Sequence, residues 1–114
     1  MQQIVDLQND PAFQALNVSV ISVSFDPAGE LSQGALEYGI HSIPLLVDAD
    51  HSVSEAYDVL QWAVGTGEPG HTFILVDADG EIAWIQDYGA PENRGVMYVP
   101  VDELTREVSA HLEN

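Results

Sequence analysis

The sequence predicts a single α/β domain, a three-layer sandwich in which helices flank a central mixed sheet that ends in an antiparallel hairpin. Three observations predict it. A β-branched run at residues 18–25 and an apolar run at 44–47 bracket a helical stripe at 28–38, the strand-helix-strand pattern of a right-handed parallel unit. Two β-rich runs, 71–76 and 81–85, flank Asp77-Ala78-Asp79-Gly80, and Asp-Gly between apolar runs is a strong hairpin signal. Finally, the chain is 114 residues long with no repeat, low-complexity tract or linker. That length suits one domain burying roughly two-thirds of its unfolded surface.

Taken in order, residues 1–16 carry Ile4, Val5, Leu7, Phe13 and Leu16 at helical spacing, interrupted at Asp10-Pro11. Proline is tolerated at a first helical position with Asp as N-cap, so a helix that breaks and restarts there is expected. It begins with neither a cap nor a preceding strand, as though a unit were entered halfway. The first strand of the sheet is therefore expected to be missing, and the domain over residues 1–114 to be N-terminally incomplete.

Residues 18–25, V-S-V-I-S-V-S-F, read as a buried strand. Asp26-Pro27 ends it and offers an N-cap for a helix over 28–38, with Leu31, Ala35, Leu36 and Tyr38 as its apolar stripe and Gly39 at its stop. Pro44 to Val47 is the second strand, and a short helix over 53–60 should turn Val53, Ala56, Tyr57 and Leu60 inward. Three glycines and a proline make 61–70 a loop. In the hairpin, the nearly continuous apolar run Phe73 to Val76 suits a strand covered on both faces, and the alternating second run suits a sheet edge. Residues 89–95 are irregular, and 101–112 close as a helix with Val101, Leu104, Val108 and Leu112 on one face.

Charge excludes whole classes of partner. Asp and Glu number 19 against only Arg94 and Arg106, giving a formal net charge of -17, so nothing could neutralise phosphates and neither nucleic acid nor an anionic membrane is expected to bind. Such a chain repels itself at low salt, which a salt-rich cytoplasm or a basic partner would relieve. Cysteine is absent, so the chain has no disulfide, thiolate nucleophile or Cys-ligated metal. This fits a reducing compartment, and the expected location is cytoplasmic.

Metal and hydrolytic motifs fail on spacing. Asp77-Ala78-Asp79-Gly80 has glycine fourth and Tyr88 twelfth, where a calcium loop needs glycine sixth and glutamate twelfth. His41, His51, His71 and His111 show no H-x-x-x-H or H-E-x-x-H spacing and read as satisfied structural histidines. No G-x-S-x-G elbow or phosphate-binding glycine loop is present, and no cofactor or metal is expected. Trp84 reads as packing; Trp62, in the loop before the hairpin, also reads as packing, beside the alternative of lining a cleft.

The succession V-I-S-V-S-F-D-P, E-Y-G-I, P-L-L-V-D-A-D, E-A-Y-D-V and H-T-F-I-L-V-D-A-D-G-E-I resembles the peroxiredoxin or redoxin group, the alkyl hydroperoxide reductase and thiol-specific antioxidant family. The resemblance runs from Leu7 to about Ile85 and implies a thioredoxin-like fold. It also implies an antioxidant oxidoreductase activity, thiol-dependent reduction of peroxides or disulfides. In that family a cysteine opens the helix after the first strand, where a helix N-terminus lowers the thiol's pKa. This chain starts inside or just after that place, so no catalytic residue is assigned and the chain as it stands is expected to be inactive.

The family also places an arginine shortly before its T-F-I-x-D segment. Aligned on Thr72-Phe73, that position is Gly70, and Pro69 stands one residue from the cis-proline place of related oxidoreductases. By this resemblance the neighbours of the active-site loop are Trp62, Pro69, Gly70, His71 and Thr72. A homodimer or a protein partner is expected, a thioredoxin-type reductant for a form that carries the cysteine. The alternative is a redox-dead thioredoxin-fold module for binding or dimerisation, docking through its loop face or the edge near residues 18–25.

Overall fold

The computed structural model describes residues 1–63 and 71–112. Its elements run α1 (Gln2–Asn9), α2 (Pro11–Gln14), β1 (Ser22–Ser24), α3 (Ala28–Tyr38), β2 (Leu45–Val47), α4 (Ser52–Ala56), a 3-10 turn (Val59–Trp62), β3 (Thr72–Val76), β4 (Ile82–Asp87), a second 3-10 turn (Pro91–Asn93) and α5 (Val101–Leu112). The helix break falls where proline chemistry puts it: Pro11 occupies the first turn of α2, and the Asp10 carboxylate accepts from the Phe13 N–H at 2.9 Å. Gly39 ends α3 in the left-handed region at φ 72°, closing its C-terminus as expected. The N-cap position of α3 is Pro27 rather than Asp26, with no side-chain cap.

Strands pair in two separate sheets among the described residues. β1 and β2 run parallel, with Ser22, Val23 and Ser24 opposite Leu45, Leu46 and Val47. β3 and β4 run antiparallel, with a register shift between Leu75 and Val76. At the turn, Gly80 adopts φ 80°, and the Asp77 carboxylate accepts from the N–H groups of Asp79 and Glu81 at 2.9 and 3.0 Å. This is the turn chemistry that Asp-x-x-Gly supplies. Both sheets lie on one core: Val5, Leu7, Phe13, Ile40, Ile43, Leu75, Tyr88, Val99, Leu104 and Val108 form its buried cluster, flanked by Val18 and Val20 from the segment before β1, Leu45 from β2, and Phe73, Ala83 and Trp84 from the other sheet. α5 seals the core, packing on α1, α2 and β4.

Several local expectations are corrected. Among the described residues the strand expected over 18–25 is paired only over Ser22–Ser24, because its neighbour there offers just Leu45–Val47. It is not buried either, since Ile21 is 60% and Val23 36% exposed. Among the described residues β3 pairs with β4, with Leu75 buried, Phe73 and Ile74 half-buried and Val76 exposed. The helix expected over 53–60 stops at Ala56, because Asp58 turns into the left-handed region at φ 58°. Ser54 and Val59 are the buried residues there, while Val53, Ala56 and Tyr57 are exposed. In α3, Leu31 is buried and Ala35 half-buried, whereas Leu36 and Tyr38 face outward.

Candidate functional site

The foot of the β3–β4 hairpin gathers the polar side chains that the sequence pattern singles out. Its geometry begins with backbone register. Thr72 and Asp87 stand opposite one another at the open end of the ladder, and the Tyr88 N–H donates to the His71 carbonyl at 2.8 Å. The neighbouring Gly89 lets the two chains close: a Cβ there would lie 2.6 Å from the His71 nitrogen and 3.4 Å from its Cα. Backbone cannot yield as a flexible side chain can. Gly89→Ala is expected to destabilise by about 1–3 kcal/mol through overpacking, read as a lower urea midpoint. Gly29→Ala, at a helical position with nothing within 4 Å, should be neutral or slightly stabilising by the same measurement.

Asp87 is the centre of the foot. It is 2% exposed, and its carboxylate accepts from the Thr72 hydroxyl at 2.7 Å, the Ala90 N–H at 2.9 Å and the Asn93 amide at 3.1 Å. Burial pushes this carboxyl up, but the bonds from Ala90, Asn93 and Thr72 outweigh it and hold the group below the usual carboxylate range. Asp87 thus stays ionised and fixes the turn that follows β4.

His71 reaches the other way. Its Nε2–H donates to the Gln3 side-chain oxygen at 3.1 Å, which fixes that nitrogen as the protonated one. The same oxygen accepts from the Val99 N–H at 2.6 Å, and the Gln3 amide donates to the Val99 carbonyl at 3.0 Å. Burial lowers the His71 pKa, opposed by the Asp87 charge, so the imidazole is neutral at pH 7. Its ring meets Phe73 edge-on at 5.2 Å, and Phe73 meets Tyr88 in the same manner at 5.8 Å.

Beyond Tyr88, the Arg94 guanidinium lies 5.3 Å from the tyrosine ring centroid while its NH1 donates to a Glu103 carboxylate oxygen at 2.6 Å. Burial and the nearby Glu103 and Glu107 charges raise the Tyr88 pKa, so the phenol is protonated at neutral pH.

Of the residues expected to border an active-site loop, His71 and Thr72 meet at this foot, and Pro69 and Gly70 lie outside the described residues. Trp62 ends the 3-10 turn, half-buried, and no hydrogen bond or ring contact joins it to His71 or Thr72 among the described residues. Sequence reasoning missed Gln3, Asp87, Asn93 and Arg94. Among the described residues no cluster of His, Asp or Glu is arranged to hold a metal ion. The foot holds neutral and anionic groups that bond to one another and to nearby backbone. It can shape and stiffen a wall, but it carries no thiolate.

A family model described as the AhpC/TSA family matches residues 2–85. Among solved structures, AhpC of Mycobacterium tuberculosis is similar with a TM-score of 0.70 at 20% identity, over 96% of this chain and 60% of that one. AhpC of Mycobacterium bovis gives 0.68 at 20% identity, over 96% and 57%. Plasmodium yoelii thioredoxin peroxidase I gives 0.63 at 23% identity, over 96% and 62%. The chain therefore spans 57–62% of the length of these structures, and at such identities the likeness establishes a shared fold. No curated protein sequence matches.

Proposed function

The chain belongs to the AhpC/TSA family, and from that premise we propose that it is a redoxin scaffold supplying one wall of a thiol-dependent peroxide or disulfide reduction site. The family match over residues 2–85 carries this reading. The wall is the hairpin foot, where Asp87 orders Thr72 and the turn after β4 while Gln3 orders His71. A thiolate is what attacks peroxide oxygen or a disulfide sulfur, and none of these 114 residues is a cysteine. Neither His71 nor the ionised Asp87 can take that role. The chain alone should therefore consume hydrogen peroxide no faster than dithiothreitol does without it. Turnover above that background, followed by ferrous-xylenol orange, would refute the reading.

A second reading, a redox-dead binding module in an antioxidant-family fold, is favoured by the apolar face of the β1–β2 sheet, where, among the described residues, Val23 and Leu46 are 36% and 46% exposed. Parallel sheets are ordinarily covered on both faces.

A further inference from the structure

We infer that the tip of the hairpin is a covalent modification site, the Asp79-Gly80 bond, which Asp77 guards against rearrangement to an isoaspartyl linkage. Asp79-Gly80 is the one Asp-Gly pair in the chain, and no Asn-Gly pair exists. Glycine makes such a bond labile, because it has no side chain to hinder attack by its own amide nitrogen.

The chemistry takes two steps. In the first, the Gly80 nitrogen bonds to the Asp79 side-chain carboxyl carbon; the nitrogen's proton and the carboxyl's hydroxyl leave as water, and a cyclic imide remains. In the second, water breaks the bond between that nitrogen and the Asp79 main-chain carbonyl carbon. The backbone then runs through the side chain and is longer by one methylene, whereas breaking the other bond restores aspartate. Asp79 and Gly80 are both exposed, so an imide formed there meets water.

What the turn withholds is the nitrogen. The Gly80 N–H donates to the Asp77 carbonyl at 3.0 Å. Three further bonds end on Asp77: its own N–H donates to the Glu81 carbonyl at 2.8 Å, and its carboxylate accepts from the Asp79 and Glu81 N–H groups at 2.9 and 3.0 Å. Ring closure requires the Gly80 nitrogen to lose its proton and its peptide plane to rotate toward the Asp79 side chain, and both sever the bond to the Asp77 carbonyl. The reaction therefore proceeds from the opened turn, whose population the four bonds keep small. All four lie within residues 77–81, so the guard is built from the hairpin's own residues. Once made, the longer backbone displaces Glu81 from the carboxylate and Ile82 from its place opposite Val76, which loosens the start of β4.

The test holds the whole chain warm at mildly acidic pH, where carboxyls begin to protonate, and follows residue 79 by electron-transfer mass spectrometry, which separates aspartyl from isoaspartyl linkages. The folded chain should rearrange at least about tenfold more slowly than the same chain unfolded in urea. Asp77→Ala, which removes the carboxylate and keeps the carbonyl, should rearrange severalfold faster than the unmodified chain while still folded. Asp77→Asn, whose side-chain oxygen still accepts, should keep most of the protection. Amide exchange at Gly80 should be slow in the folded chain and should quicken in Asp77→Ala together with the rearrangement.

Equal rearrangement in the folded and unfolded chains, or unprotected exchange at Gly80, overturns the proposal. So does a folded Asp77→Ala that rearranges as slowly as the unmodified chain, or an Asp77→Asn as labile as Asp77→Ala. Where Asp77→Ala does not fold, the unmodified chain decides: as urea is raised, rearrangement that follows the opening measured by Gly80 exchange supports the guard, and rearrangement independent of it overturns it.

Discussion

Asp87→Ala is expected to destabilise the chain by about 3–5 kcal/mol, because it leaves buried donors without an acceptor. The Thr72 hydroxyl, the Ala90 N–H and the Asn93 amide all direct their hydrogens at this one carboxylate. The Ala90 N–H is buried and the other two donors are half-buried, and methyl replaces an ionised acceptor with nothing. A loss of that size is a large fraction of a typical domain's stability of about 5–15 kcal/mol, so the variant should unfold at much lower urea. Asp87→Asn should fall between, since its oxygen can still receive the Thr72 hydroxyl while its NH2 confronts the Ala90 and Asn93 donors. A pH series adds a sign. The folded pKa of Asp87 lies below its ordinary value of 3.8, so its stabilisation is present above that value and is lost as pH falls through the folded pKa. Asp87→Asn should flatten this acid limb of the stability curve. An Asp87→Ala chain as stable as the unmodified one would refute the account.

Gln3→Leu is expected to cost about 2–4 kcal/mol, for a related reason. One amide serves three groups: it both receives the Val99 N–H and donates to the Val99 carbonyl, as a neighbouring strand would, and it receives the His71 ring N–H. Leucine keeps most of the volume and none of the bonds. The control is next door. Gln2 is exposed and bonds only Asp6 at 2.7 Å, so Gln2→Leu should stay within about 0.5 kcal/mol of the unmodified chain. Equal urea midpoints for the two variants would sink the proposed clamp.

What the sequence made legible were features governed by local chemistry. The cap at Asp10, the glycine stop of α3 and the Asp77-to-Gly80 turn each need only a few adjacent residues, and each folds as those residues dictate. The hairpin signal likewise placed His71 and Thr72 at the start of its first strand. Strand length and burial were not legible, because they depend on neighbours: residues 18–25 have β-branched character throughout, yet β2 is long enough to pair with only three of them. The buried polar residues were the hardest. Gln3 and Gln8 share the buried face of α1 with Val5 and Leu7, and Gln8 receives the His41 and Ser42 N–H groups at 2.7 and 3.0 Å. Their spacing, with Gln3 four residues before Leu7 and Gln8 three after Val5, held the signal. A reading that counts only apolar side chains passes over it. Asp87 was hidden differently, as one acid among 19.

The Gln3 clamp also bears on the order of folding events. It joins residues 96 positions apart, whereas the Asp77 turn joins groups separated by four. Closing so long a loop costs chain entropy that is recovered only when most of the core is in place, while the hairpin can form from its own residues. The turn is therefore expected in the rate-setting nucleus and the clamp in the steps after it, which folding and unfolding rates of variants at the two places would check. Weakening the turn slows folding, and weakening the clamp chiefly shortens the lifetime of the folded chain.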